Sequence, residues 1–254
     1  MHLEQERSQR ATAYLEQVTE SDELRGLSVT RHVLRDNPAS AILAVAQQHH
    51  ATLIVLCSHG ETGLKRWVLG SVALKVARQS PVPVLILRPE AVGATASLLT
   101  PSRSIRVLVP LDGSLMAEEA LAPAIALTRA LSAPRPGALH LVSVLPFYQM
   151  EENVQLVQAV QDYLASTERH IREREGGADL VLTSSLLLHI DVASALLDLA
   201  ETGKGMEHIE GAAGCDVIAM ATYGRGSAQN WMLGSITERV LTATKLPLLM
   251  VRPR

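Results

Sequence analysis

The sequence predicts an α/β fold: a doubly wound, Rossmann-like parallel sheet of five strands ordered 3-2-1-4-5, present as one complete copy and one copy without its front. Three observations predict it. A glycine loop occurs twice, as Gly60, nine residues and Gly70-Ser71, and as Gly224, nine residues and Gly234-Ser235. The surrounding stretches, Cys57–Pro89 and Ala221–Pro253, stay in register at an offset of 164, pairing Trp67 with Trp231 and Pro83 with Pro247. Composition is 47% hydrophobic but only 3% aromatic, which points to aliphatic strands buried between helices.

A chain that repeats a loop, a helix and a closing strand has repeated a domain. Its 254 residues accommodate two domains of ordinary size. The expected organisation is an incomplete copy over 1–90, a linker over 91–104 and a complete copy over 105–254.

The second copy reads in full. Ile105–Pro110 is a short apolar strand running into Leu111-Asp112-Gly113-Ser114. Met116–Leu131 is an Ala/Leu-rich helix and Ala138–Leu145 a second strand. Glu151–Arg174 is a long polar helix with an apolar stripe at Val154, Val157, Val160 and Leu164. Leu180–His189 is a third strand, and Ala193–Ala200 begins a helix. Asp216–Met220, Ser235–Ala243 and Leu248–Val251 complete the alternation as strand, helix and strand.

The first copy repeats this pattern from partway through. Ala11, Leu15 and Val18 lie on one face of an opening helix, and Val29–Leu34 and Leu53–Cys57 are its strands. Tyr14-Leu15 matches Tyr163-Leu164, and Ala39-Ser40-Ala41 matches Ala193-Ser194-Ala195. The offset then grows to 164, so the second copy carries extra residues around Glu201–Gly211. Thr202-Gly203-Lys204-Gly205 reads as a surface insertion. Residues 105–149 have no counterpart in the first copy. In the order 3-2-1-4-5 that removes the two central strands, so Val29–Leu34 has no neighbour and Leu53–Cys57 exposes an edge. Another chain supplies the missing strands, the first copy is rearranged, or the natural start lies upstream of Met1.

Bulk properties narrow the function. Net charge is −3, and neither half is basic enough for a nucleic-acid surface. No apolar run approaches the ~20 residues of a membrane span, and no signal peptide is evident, so a cytoplasmic protein is expected. Cys57 and Cys215 form neither a metal spacing nor a disulfide framework and read as reduced, buried residues. His49 and His50 are adjacent near a helix end and cannot both face one metal, so they read as surface residues.

The chemistry concentrates in the loop from Gly224 to Ser235. A strand ends before it and a helix opens after it. The first turn of a helix presents unpaired N–H groups and a positive partial charge, which suit a phosphate. Glycine lets backbone approach a ligand. Ser235 adds a hydroxyl, and Arg225, or Lys65 and Arg66 in the first copy, offers positive charge. A structural reading competes: Ser235-Ile236-Thr237-Glu238 fits a capping box. Asp112 before Gly113-Ser114 also makes a good turn or helix cap. His59 reads as a solvated loop residue, and Trp67 and Trp231 as packing under each loop. There is no Walker loop, nucleophile elbow or full dinucleotide fingerprint.

These residues resemble the universal stress protein family, whose nucleotide-binding members carry Gly-x2-Gly-x9-Gly-Ser/Thr. The second copy reads Ala221-Thr222-Tyr223-Gly224, nine residues, Gly234-Ser235, and the first Cys57-Ser58-His59-Gly60, nine residues, Gly70-Ser71. Val107–Ser114 resembles the family's opening strand and Asp, and Pro83–Pro89 and Pro247–Pro253 its closing strand. The resemblance implies that Asp112, with Pro110 beside it, contacts the ribose side of an adenine nucleotide. It implies that Val144 offers backbone to adenine and that Met220 and Ala221 line the pocket. Gly224, Gly234, Ser235 and Ile236 would hold the phosphates. The implied ligand is ATP or AMP, with Mg accompanying the nucleotide. In each copy the motif's first glycine is replaced, by Ala221 and Cys57, and the first copy has no Asp counterpart, so its own residues are not expected to complete a site.

The function so implied is adenine-nucleotide binding in a stress-response or regulatory protein, with sensing rather than fast catalysis. The alternative is a dimerisation or interaction module of the same fold that binds no nucleotide. In the family the closing strand pairs antiparallel with its equivalent. Val84–Leu87 and Leu248–Val251 would therefore pair within one chain or across a homodimer.

Overall fold

The computed structural model describes residues 2–58, 70–88, 104–147, 154–176, 179–207, 209, 214–224 and 233–253. The first half opens with helix α1 (His2–Thr19), followed by a short 3-10 turn (Asp22–Leu24) and helix α2 (Pro38–Gln48). Pro38 begins α2, and the Asn37 side chain accepts from the Ser40 N–H, a combination that suits a helix start. Then come β1 (Ile54–Cys57), α3 (Ser71–Gln79) and β2 (Val84–Leu87). The second half runs β3 (Arg106–Pro110), α4 (Leu115–Glu118), α5 (Leu121–Ser132), β4 (Gly137–Leu145), α6 (Val154–Glu175), β5 (Leu180–Leu188), α7 (Val192–Thr202), β6 (Val217–Ala221), α8 (Ser235–Ala243) and β7 (Leu248–Val251).

All seven strands share one sheet, ordered β1-β2-β7-β6-β3-β4-β5. The five strands of the second half stand in the expected 3-2-1-4-5 order, every neighbouring pair parallel. The two halves join through β2 and β7, which pair antiparallel with Leu85 opposite Leu249. The closing strands therefore pair inside a single chain. One face of the sheet carries α2, α3, α7 and α8 over a core including Ile86, Leu108, Ile218 and Leu248. The other carries α4, α5 and α6 over Val107, Val109, Leu139, Leu141 and Leu249.

The repeat is visible bond by bond. Ser58 N–H donates to Leu87 O at 2.8 Å, and its counterpart Thr222 to Val251 O at 2.8 Å. Gly70 N–H donates to Ser58 O at 2.8 Å, as Gly234 does to Thr222 O at 2.9 Å. Each closing strand also sends a guanidinium across to the other half. Arg88 donates to Leu241 O at the end of α8, and Arg252 to Gln79 O at the end of α3. Cations at helix C-termini satisfy terminal carbonyls and oppose the helix dipole.

Several expectations need correction. Val29–Leu34 forms no strand; it runs as irregular, largely exposed chain, with no strand paired to it among the described residues. In α1, Leu15 is half-buried and Val18 exposed, and the helix adds no residue to either core cluster. The helix expected over Met116–Leu131 breaks between Glu118 and Leu121. Pro123 supplies the reason: inside a continuous helix its ring would meet the carbonyl four residues back. Cys57 is exposed rather than buried, since no described helix covers that face of β1; Cys215 is buried. The insertion after α7 is not wholly superficial. Gly203 closes α7 at φ 77°, and Met206 beyond it is fully buried. Gly60, His59, Lys65, Arg66, Trp67, Arg225, Gly226, Trp231 and most of the linker lie outside the described residues.

Candidate functional site

At the carboxyl ends of β3, β4 and β6 the second half opens a cleft of about 660 Å³. Open α/β sheets bind ligands in this position, where strand order reverses. The size falls within the usual range for small-molecule sites. Pro110 and Asp112 line it from the end of β3, Val144 from β4, and Met220, Ala221 and Gly224 from β6 and its loop. Gly234, Ser235 and Ile236 line it from the start of α8. All nine sequence-selected positions thus border one cavity.

Asp112 faces two ways. Its Oδ1 accepts from the Ser114 N–H at 3.0 Å and the Ser114 hydroxyl at 2.6 Å, and Ser114 Oγ accepts from the Ala117 N–H to cap α4. This is the turn-making role. The other oxygen lies over Gly224: a Cβ built there would sit 2.3 Å from Oδ2. The carboxylate is fixed by the turn and directed at the glycine loop, and only a residue without a side chain fits beneath it.

The capping box that competed as a structural reading of Ser235 does not form. Gly234 is the N-cap and Ser235 the first helical residue, with no side-chain capping bond. The first helical bond runs from Glu238 N–H to Gly234 O at 2.8 Å. The amides of the opening turn therefore lack the side-chain acceptor that a serine cap would supply. Gly234 itself is not strained by conformation, at φ −61° and ψ 146°, and among the described residues an added Cβ would meet nothing closer than 3.5 Å.

Sequence reasoning missed the apolar wall on α7. Val192 and Leu196 line the cleft one helical turn apart, a spacing readable in the sequence once α7 is placed beside β4. It also missed Thr237, whose hydroxyl donates to Ala221 O at 3.1 Å and ties α8 to the end of β6. At the rim, Asp191 caps α7 through the Ser194 N–H at 2.8 Å and pairs with Arg239 of α8 at 2.6 Å. That amide and the guanidinium hold its carboxyl down at about 2. Behind α4, Tyr163 donates to Glu118 at 2.8 Å; burial and that carboxylate push its phenol up.

Among the described residues no group of three or more His, Cys, Asp or Glu is placed to hold a metal ion. No described helix is long and apolar enough to cross a membrane.

Comparison with known proteins gives the same picture. The profile of the Universal stress protein family matches residues 1–88 and 105–252. A universal stress protein of Mycobacterium tuberculosis is 25% identical over 232 residues, 90% of this chain and 70% of that one. One from Methanocaldococcus jannaschii is 36% identical over 74 residues, 29% of this chain and 44% of that one. The crystal structure of a universal stress protein from Archaeoglobus fulgidus has a TM-score of 0.65 at 23% identity, covering 99% of this chain and 81% of that one, and shares the fold. With a glycine loop in each half and a family match over both, the chain belongs to the universal stress protein family.

Proposed function

We propose that the cleft binds an adenine nucleotide, ATP or AMP, and that binding is a regulatory event in a stress-response protein rather than a step in fast catalysis. The observation that carries this reading is Gly234. Neither its dihedral angles nor its described neighbours require glycine, yet it stands at the mouth of a helix with no side-chain capping bond. Room for an anion close to the backbone is what the missing side chain provides. Asp112 then stands at the far side as an acceptor for ribose hydroxyls, and Val144, Val192 and Leu196 offer an apolar wall to the base. Magnesium would arrive with the phosphates, since the lining gives it no ready-made cluster.

The second reading, an interaction module without nucleotide, is favoured by Ala221. Its methyl replaces the first glycine of the motif at the edge of the cleft. The antiparallel pairing of β2 with β7 supports it too, since these strands join the two halves whatever the cleft holds. Denaturing purified protein and analysing the supernatant by mass spectrometry separates the two. An adenine nucleotide released in proportion to protein is the expected result. Protein that carries none and shows no saturable binding of added ATP or AMP overturns the first reading in favour of the second.

A further inference from the structure

The cleft's carboxylate, Asp112, is carried by a helix too short to hold itself. Helix α4 has four residues, Leu115–Glu118, against the ~12 an isolated helix needs. Leu115 and Met116 are exposed, and of its apolar side chains only Ala117 is buried. Two further contacts fix it. At its start the Ser114 hydroxyl donates to Asp112 Oδ1 at 2.6 Å and accepts from the Ala117 N–H at 3.2 Å. At its end Glu118 accepts from the Tyr163 hydroxyl at 2.8 Å. Tyr163 stands on α6, half-buried against the core cluster that contains Ala117. A continuous line thus runs from Tyr163 through Glu118, one helical turn and Ser114 to Asp112, and it ends at the cleft, which Asp112 and Ala117 both line. Burial, the bond to Glu118 and the charge of Asp112 all push the phenol up, so the hydroxyl stays a donor across the neutral range.

We propose that Tyr163 is a positioning residue for the cleft: through Glu118 it fixes α4, and α4 fixes the Asp112 carboxylate where a ribose meets it. Tyr163 is not among the residues lining the cleft and acts only through Asp112. The inference rests on the nucleotide reading and gives it a specificity. Hydrogen bonds weaken steeply with misalignment, so a carboxylate on a loosened turn loses its hold on the sugar hydroxyls. The rest of the ligand is met by other elements, the base by Val144, Val192 and Leu196 and the phosphates by the start of α8. Loss of the phenol hydroxyl should therefore reduce the preference for ribose over a sugar without hydroxyls, and little else.

The full chain is compared with Tyr163→Phe, Glu118→Ala and Glu118→Gln by two measurements. The first needs no ligand: amide exchange at Ser114 and Ala117, whose N–H groups donate within the turn, is set against exchange across β7. The second is the affinity for ATP and AMP and for their 2′,3′-dideoxy forms, by calorimetry. Wild type is expected to prefer the ribose form about tenfold, as befits a hydrogen bond to a charged acceptor. In Tyr163→Phe and Glu118→Ala that preference falls about threefold or more while affinity for the dideoxy form holds, and exchange at Ser114 and Ala117 quickens more than across β7. Glu118→Gln, which keeps an acceptor for the phenol, behaves as wild type, and Tyr163→Phe changes nothing further in an Asp112→Ala chain. A side chain that only supports the fold would weaken both sugars alike. Equal loss for both sugars, or unchanged exchange at Ser114 and Ala117, overturns the proposal and leaves the nucleotide reading standing. Wild type that binds none of the nucleotides overturns that reading, and the proposal with it.

Discussion

At Gly224 an added Cβ would lie 2.3 Å from Asp112 Oδ2, while at Gly234 it would meet only ordinary contacts. The two glycines therefore make different predictions. Gly224→Ala forces the Asp112 carboxylate aside, and nucleotide affinity should fall at least tenfold with the turn at Ser114 disturbed. Gly234→Ala should leave stability within about 0.5 kcal/mol of wild type, because the φ and ψ there suit any residue. Its effect should appear in binding, and thermal unfolding with and without nucleotide distinguishes the two variants. Asp191 supports a test by pH. Its folded pKa of about 2 lies below the ordinary 3.8, so its contribution is complete above about pH 4 and is lost as pH falls toward 2. Asp191→Asn keeps a capping acceptor but not the charge. Wild type should lose more stability than this variant between pH 4 and 2, measured by denaturant unfolding at each pH. The motif spacing made the glycines readable in the sequence, and the resemblance of Val107–Ser114 to the family's opening strand did so for Asp112. That Ser235 sits inside its helix rather than capping it was not readable, because a capping-box pattern looks the same in either register.

Among the elements, β2 and β7 tie the two halves together, and the arginine that follows each strand reaches the far helix. Arg88 is nearly buried and donates to the last turn of α8, the helix whose other end lines the cleft. Arg88→Met keeps the stem and removes the donor. It should destabilise the chain by about 1–3 kcal/mol, the range for a hydrogen bond involving a charged group together with the carbonyl it leaves unmet. Ile86→Ala, at a fully buried position in β2, should cost about 2–5 kcal/mol. Denaturant melts followed by circular dichroism measure both. Strand and helix alternation in the second half was legible because each element carries its own hydrophobic period. Val29–Leu34 shows where that reasoning stops: a stretch with β-branched residues becomes a strand only when a neighbour accepts its backbone bonds. The break between α4 and α5 was signalled by Pro123 but hidden within an Ala/Leu-rich run.

As a whole the molecule is a repeat made unequal. The offset of 164 reappears as matching hydrogen bonds at both loops, so the architecture could be read from the chain alone. What the sequence left open was whether the closing strands pair within one chain or across a homodimer; the seven strands form one continuous sheet with both halves on the same cores. The asymmetry has a functional counterpart. Among the described residues only the second half brings an Asp-bearing strand to its glycine loop, so one nucleotide per chain of residues 1–254 is expected. Calorimetric titration of ATP and AMP into the full chain, wild type and Gly234→Val, tests this most directly. The account predicts a saturable heat with a stoichiometry of one per chain for wild type with at least one of the two nucleotides, and its loss in the variant. No saturable heat with either nucleotide, or equal binding by the variant, would contradict it.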